Sequence, residues 1–463
     1  MATETNMTII PNAIPAMAIK IIGLIPFPPS DVETFFLLKS LFAMKYSTFI
    51  KNTGMFKNQG SILLLCTILI GFYSKAQVSP EIRNLPNLLP LTIKTDAEIL
   101  TGAEQIHLLK EDLANKRIGV IANQTSLIGN KHLVDSILSL GYNVTKIFSP
   151  EHGFRGTADA GEMVNSKKDK KTGLPIISLY GPNKKPKLKD LIEIDILVYD
   201  LQDVGVRFYT YVSTLFYAIE ACAEADIPLI VLDRPNPNGF YVDGPVLKDG
   251  FESFVGVNKI PVVYGLTPGE FSNMANNEGW LHGDLKCNLK VIPLKNYSHS
   301  DLYQLPVKPS PNLPNMTSVY LYPSLCFFEG TVVSEGRGTE IPFQIFGHPQ
   351  MSGDFTFTPK STLGASAPKL ENQFCRGKSL TSFDIMRAEP PYFTLNFLKQ
   401  GFEDLDLGET FFLENNFINL LAGTDELKNQ ILQGSSDEQI RASWEPELSE
   451  YKTMRKKYLL YTE

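Results

Sequence analysis

The chain is poor in the residues from which common catalytic centres are built. Its five cysteines (Cys66, Cys222, Cys287, Cys326, Cys375) are scattered, with no C-x-x-C pair and no cysteine–histidine spacing of the kind tetrahedral zinc requires. An oxidising compartment would allow the four that follow Cys66 to pair, but three of them sit in apolar surroundings, where a buried free thiol is the simpler reading. Of six histidines, only His152 falls at the end of an expected strand, so no convergent metal-ligand set is expected. No G-x-S-x-G occurs, which argues against a serine nucleophile elbow. Neither a P-loop nor a G-x-G-x-x-G order is present, so nucleotide and nicotinamide cofactors are disfavoured and no cofactor is expected. Positive charge is also short: 43 Lys and Arg against 50 Asp and Glu give a net charge of -7. Without a basic stripe, nucleic acid is not an expected partner. Lys167, Lys168, Lys170 and Lys171 flank Asp169 and read as a solvated loop.

What is present begins with a leader. Met55 to Gln77 has a lysine near its start, a short apolar run from Ile62, and small residues at Ser74 and Ala76, the pattern of a secretory signal cut after Ala76. The run is too short for a comfortable membrane span, and Leu65 before Cys66 does not suit a lipoprotein. Export to the periplasm or beyond the cell is the expectation, with no membrane span left in the mature chain. Residues 1–54 have no place in such a leader, and translation is expected to begin at Met44 or Met55. Peptides from residues 1–43 in the mature protein would contradict that.

After a linker over residues 77–98, strands and helices alternate. Arg117 to Ala122 reads as a strand, Asn130 to Leu140 as a helix, and Asn143 to Phe148 as a strand ended by Pro150. Short apolar runs at Pro175–Tyr180, Ile194–Tyr199 and Pro228–Leu232 continue the pattern, with a crossover helix over Tyr211–Ala225. Thr267-Pro-Gly-Glu270 has the form of a capping box before a helix to about Trp280, which makes Glu270 structural, and Leu285–Pro293 reads as a closing strand. The fold class is therefore α/β: a Rossmann-like, doubly wound, mostly parallel sheet over residues 99–306. The proline-rich run Val307–Asn315 marks a boundary, and residues 307–463 read as a smaller α+β auxiliary domain that completes a cleft, with helices near Thr410–Leu421 and Glu447–Tyr461. No internal repeat stands out.

Each strand opens into polar residues, and in open α/β sheets ligands sit beyond the carboxyl ends of the strands. Four exits, Asn123–Ser126, Glu151–Arg155, Asp200–Asp203 and Asp233–Asn238, together describe a pocket. The densest is Ile147-Phe-Ser-Pro-Glu-His-Gly-Phe-Arg-Gly156, where Gly153 and Gly156 give the backbone freedom around a carboxylate, an imidazole and a guanidinium. Glu151 and Asp203 leave near-neighbouring strands in one direction, and two carboxyls across a cleft suit glycoside hydrolysis. A glutamate shielded by Phe148 and Phe154 is suited to donate a proton. Two readings stand for Asp203: it orients water or a sugar hydroxyl, or it pairs with Arg207 four residues on. Arg207 likewise either forks a substrate carboxylate or pairs with Asp203. Tyr209 and Tyr211 either stack on a sugar or pack. His152 and Arg155 either position substrate or fix the loop.

Six ordered motifs go further. Ser149-Pro-Glu-His-Gly-Phe-Arg-Gly156, Asp200-Leu-Gln-Asp-Val-Gly-Val-Arg-Phe-Tyr-Thr-Tyr211, Asp233-Arg-Pro-Asn-Pro-Asn-Gly239, Tyr264-Gly-Leu-Thr-Pro-Gly-Glu270, Pro309-Ser-Pro-Asn-Leu-Pro314 and Glu335-Gly-Arg-Gly-Thr339 together resemble the exo-acting β-N-acetylmuramidases of peptidoglycan recycling. The resemblance runs over roughly residues 100–460. It implies a Rossmann-like domain with an auxiliary domain, a cleft between them, and release of N-acetylmuramic acid from the non-reducing end of a peptidoglycan-derived sugar substrate. The family's catalytic glutamate falls on Glu151, with Asp203 as the candidate second catalytic carboxylate. Asn123, His152, Arg155, Arg207, Tyr209, Asp233, Asn236 and Arg337 are the candidate substrate contacts, and Arg207 and Arg337 are equal candidates for the lactyl carboxylate. A carboxyl separation of about 5 Å would suit a retaining nucleophile, about 6.5–9.5 Å inversion, and the substrate's acetamido group is a third nucleophile. Rival readings are a non-catalytic binder of cell-wall fragments and a cell-wall esterase or amidase. Oligomeric state is not legible.

Overall fold

Six parallel strands form the centre of the protein: β1 (Arg117–Ala122), β2 (Asn143–Ser149), β3 (Ile176–Ser178), β4 (Ile196–Asp200), β5 (Leu229–Leu232) and β6 (Leu289–Ile292). The computed structural model describes residues 98–155 and 168–463; the leader read at residues 55–76, the segment before it, and Gly156 lie outside them. Across the sheet the order is β6-β5-β4-β1-β2-β3, and every neighbouring pair is parallel. This is the Rossmann strand order, with its switch point between β1 and β4. The strands are apolar because helices cover both faces: β1 is buried after Arg117 and β4 is buried throughout, as a parallel sheet requires.

Local chemistry sets the crossovers. Helix α1 (Leu133–Ser139) links β1 to β2. Helix α2 (Tyr211–Ala225) buries Val212, Leu215, Phe216, Ile219 and Cys222, the stripe expected from helical spacing, and stops at Asp226 in a left-handed turn. Helix α3 (Pro268–Asn277) has Pro268 at its first position and a reciprocal cap between Thr267 and Glu270. The other Glu270 oxygen accepts from His299 at 3.0 Å and from the Leu460 amide at 2.8 Å. Glu270 is thus spent on structure, as the capping pattern implied.

Beyond the sheet, helix α4 (Met316–Leu325) starts at an Asn315 cap, and three antiparallel strands follow, β7 (Ile345–His348), β8 (Phe355–Phe357) and β9 (Cys375–Ser379), in the order β7-β9-β8. Helices α5 (Asn396–Leu405), α6 (Phe417–Ala422), α7 (Glu426–Leu432) and α8 (Asp437–Arg455) complete the chain. Two expectations fail here. The helix expected over Thr410–Leu421 is a 3-10 turn at Gly408–Phe411 followed by the separate α6. The last helix begins ten residues earlier than expected, at a capping box between Ser436 and Gln439, and carries Pro446 in its interior. Leu313, Phe327, Phe346 and Tyr451 share one buried cluster with Ile121 and Leu215, so one core joins the two parts of the chain, and a second cluster that includes Ile118, Val120 and Ile137 packs beside the sheet. Among these residues no helix is long and apolar enough to cross a membrane.

Candidate active site

Pro150 cannot extend the ladder of β2, and the chain turns there. His152 (φ 70) and Gly153 (φ 79) both take left-handed backbone. A non-glycine residue in that region costs about 1–3 kcal/mol and is characteristic of functional loops. The turn sets Glu151 and His152 into a cleft of about 600 Å³ that also receives Tyr180 and Lys184 from the loop after β3, Phe208–Tyr211 from the approach to α2, and Glu329 and Arg337 from beyond α4. The cleft therefore lies outside the carboxyl ends of β2, β3 and β4, beside the switch point.

Glu151 is held by hydroxyls and pinned through its backbone. Thr210 Oγ1 donates to Glu151 Oε2 at 3.3 Å, and the Tyr211 hydroxyl donates to the Glu151 carbonyl at 3.3 Å. Asn123 Nδ2 in turn donates to the Tyr211 hydroxyl at 2.8 Å, so β1 fixes Tyr211 and Tyr211 fixes the glutamate. Burial, reinforced by the charge of Glu151 and a hydrogen bond to it, pushes the Tyr180 phenol above its usual range. Tyr180 stays a donor toward the carboxylate. Across the cleft, Arg337 donates to Glu329 at 2.7 Å, reaches Glu335 at 3.5 Å and lies over the Phe343 ring at 5.2 Å. It keeps 24% of its side chain exposed. Burial opposes its charge, but the two glutamates outweigh burial and raise its pKa. Arg337 is a fixed cation that still faces the cleft.

The relatives agree on what such a chain is. Residues 118–317 match the family model described as exo-beta-N-acetylmuramidase NamZ, N-terminal, and residues 320–461 match its C-terminal counterpart. The chain belongs to the NamZ family. It is 37% identical over 415 residues to the peptidoglycan beta-N-acetylmuramidase NamZ of Bacillus subtilis (strain 168), covering 85% of this chain and 97% of that protein. Two crystal structures of DUF1343 family proteins from Bacteroides fragilis NCTC 9343 share the fold. One has TM-score 0.74 at 45% identity, covering 79% of this chain and all of the other. The second has TM-score 0.68 at 30% identity, covering 79% and 99%. Membership of the NamZ family makes the chain a glycosidase, and the first two motifs quoted above supply one wall of its cleft.

Several residues that the sequence places at the site turn away from it in this NamZ-family fold. Asp203 is 3% exposed and does not line the cleft; one oxygen accepts from the Tyr264 hydroxyl at 2.5 Å and the Gly205 amide at 2.7 Å. Burial pushes its pKa up to about 6, against the opposing hydrogen bond from Tyr264. The pairing of Asp203 with Arg207 does not form. Arg207 is completely buried and donates to the carbonyls of Pro245 (2.9 Å), Ile260 (2.7 Å) and Leu421 (2.9 Å). Arg155 grips Asp169 at 2.9 and 3.0 Å, which fixes the loop. Phe154 packs on the His132 ring at 4.6 Å and Phe148 is in the core, so neither shields Glu151 from within the cleft.

The remaining exits are scaffolding. Asp233 accepts from the Gly269 amide (2.7 Å), Thr267 (2.8 Å) and Tyr461 (2.5 Å), anchoring the start of α3 and the C-terminal tail. Burial pushes its pKa up to about 7. Asn236 accepts from the Asn238 amide at 2.8 Å and donates to the Leu266 carbonyl at 2.9 Å. Asp200 is locked on Arg234. Asn123 is buried behind Tyr211. Tyr209 does line the cleft, with its hydroxyl on the Pro309 carbonyl at 2.9 Å and its ring against Tyr211 at 4.8 Å. Sequence reasoning missed Glu329, Tyr180 and Thr210. Glu329 lies within a 3-10 turn, Cys326–Gly330, and only its pairing with Arg337 distinguishes it.

Proposed function

We propose that this chain is an exported exo-β-N-acetylmuramidase that hydrolyses the β-1,4 bond of a terminal, non-reducing N-acetylmuramic acid in peptidoglycan fragments, with Glu151 as proton donor. One observation carries the reading: among the described residues that line the cleft, Glu151 stands on the turn at the carboxyl edge of the sheet, whereas Glu329, the other carboxylate, is bound to Arg337. The Thr210 hydroxyl orients the Glu151 carboxyl at 3.3 Å, and Tyr211 holds its backbone. Glu151 hands its proton to the glycosidic oxygen as the bond breaks, the task of the acid in a glycosidase. Arg337 is the arginine that meets the lactyl carboxylate, because Arg207 does not reach the cleft. A planar guanidinium suits that partner.

Asp203 has a positioning role in this reading. It holds the Gly205 turn that leads to Tyr209 and Tyr211, and its depth removes it as a nucleophile. Glu329 is then the second carboxylate within the cleft. Residues 307–463 are the auxiliary domain that brings Glu329 and Arg337 to the site. Export rests on the leader at residues 55–76, and a mature N-terminus at Gln77, read by mass spectrometry, is its expected signature. Incubation with a muramyl-glucosamine disaccharide should release free muramic acid. A wild type that binds the sugar without releasing product would be a cell-wall-fragment binder instead, and cleavage of an acyl bond would indicate an esterase or amidase.

A further inference from the structure

The cleft has an open end that the acid and Arg337 do not use. Its deep side is closed by Tyr322, Phe343 and Leu313, all buried. Ring contacts run from there toward the mouth: Phe343 on Tyr322 (4.8 Å), Tyr322 on Tyr209 (6.2 Å), Tyr209 on Tyr211 (4.8 Å). Tyr211 holds the Glu151 backbone. Tyr180, which is hydrogen-bonded to Glu151, meets Phe254 at 6.4 Å. Glu151 thus touches two sets of rings, one leading through Tyr211 to the closed end and one through Tyr180 to Phe254.

Phe254 is set there by a four-residue turn. Ser253 and Gly256 exchange backbone hydrogen bonds at 2.9 and 3.0 Å, which leaves Phe254 and Val255 at the tip, half-buried and facing the cleft. Tyr217 backs the ring at 6.3 Å with 9° between the planes. Lys184 Nζ lies 4.8 Å from the ring centroid. Lys185 beside it is paired with Glu220 and Glu224, whereas Lys184 makes no ion pair among the described residues. Ser253 Oγ, also on the cleft, is buried with no hydrogen-bond partner there. A buried hydroxyl without a partner is costly and calls for one.

We infer that the Ser253–Gly256 turn, with Lys184, is the binding site for the sugars on the leaving side of the cut. The inference rests on the exo-muramidase reading. An uncharged N-acetylhexosamine has an apolar C–H face that fits a half-open aromatic ring, and polar edges that a lone hydroxyl completes. Lys184 sits on the ring by a contact worth little at an exposed position and swings to the carboxylate of the next, acidic sugar. The closed end takes the terminal muramyl residue; the Phe254 end takes the chain it is cut from.

The test compares Phe254→Ala, Phe254→Trp and Lys184→Met on three substrates: β-muramyl fluoride, the muramyl-glucosamine disaccharide, and a tetrasaccharide with a second muramyl unit. Phe254→Ala should lower kcat/KM about tenfold on both oligosaccharides and less than twofold on the fluoride, with Phe254→Trp restoring the wild-type value. Lys184→Met should leave the fluoride and disaccharide within twofold, weaken the tetrasaccharide roughly threefold to tenfold, and reduce its salt dependence to that of the disaccharide. Equal losses on all three substrates, or no loss on the oligosaccharides, would overturn the inference. Calorimetric binding of the tetrasaccharide in a Glu151→Gln background gives a second readout. There the same ordering supports the subsite and its absence refutes it, even if the wild type proves to have no turnover and the exo-muramidase reading falls.

Discussion

Replacing Arg207 by methionine separates two roles that its position alone allows. The side chain donates to three buried carbonyls at 2.7–2.9 Å, and the packing around it is tight: a Cβ on Gly423 would sit 2.8 Å from its Nη2, and one on Gly256 3.4 Å from its Nε. Methionine fills similar length but supplies no donor. Each stranded acceptor costs about 1–3 kcal/mol, so the gross loss is roughly 3–9 kcal/mol. Some is returned, because burial opposes the guanidinium charge and the variant no longer bears that desolvation cost. A net loss of about 3–5 kcal/mol is expected, a large part of the roughly 5–15 kcal/mol that stabilises a folded protein. Urea denaturation followed by circular dichroism reads it as a lower midpoint. Stability within about 1 kcal/mol of wild type, combined with weakened muramyl recognition, would refute the structural role and return Arg207 to the substrate.

Arg337→Ala should reduce the preference for a muramyl over a glucosaminyl terminus roughly 10- to 100-fold, since a charge-assisted pair is worth about 1.5–3 kcal/mol; competition between the two substrates measures it, and an unchanged ratio would exclude Arg337 as the lactyl partner. Tyr211→Phe removes the hydroxyl between Asn123 and the Glu151 carbonyl and should lower kcat about threefold to tenfold with little change in KM, about 1 kcal/mol of positioning. Stability should fall as pH rises from about 4 to about 7, because the buried carboxyls of Asp203 and Asp233, raised to about 6 and about 7, bind protons more tightly folded than unfolded. Raising the two carboxyls from 3.8 to about 6 and about 7 is worth about 3 and about 4 kcal/mol. Asp233→Asn should therefore flatten about half of that slope in thermal melts across pH, and an unaltered slope would show that Asp233 does not carry it.

Most of the sheet was legible because its signals are local and one-dimensional. β1 and α2 occupy the residues that strand and helix periodicity assign them, and the Thr267–Glu270 cap forms as its spacing implies. The last helix starts before the expected position because Pro446, which resembles a boundary in sequence, lies inside it: packing of Ile440 and Trp444 on one side and Leu448 and Tyr451 on the other carries the helix through. The site was legible only where a loop announces itself by charge density, as at Glu151. Polar residues at strand ends do not reveal whether they face the cleft or the scaffold. Asp203, Asp233 and Asn236 all end strands in the expected direction, but Tyr264, Thr267 and Leu266 capture them. The converse holds for Glu329, which follows Phe327 and Phe328 in an apolar run and meets Arg337 only through the fold.

The central claim is that Glu151 donates the proton to the leaving oxygen, and the direct measurement is the rate of Glu151→Gln on two leaving groups. On the muramyl-glucosamine disaccharide, whose leaving oxygen needs a proton, the variant should lose roughly 10²–10⁴-fold in kcat. On β-muramyl fluoride, whose leaving group needs little help, the loss should stay below about tenfold. Equal losses on the two substrates would contradict the assignment and make Glu151 a binding or structural residue.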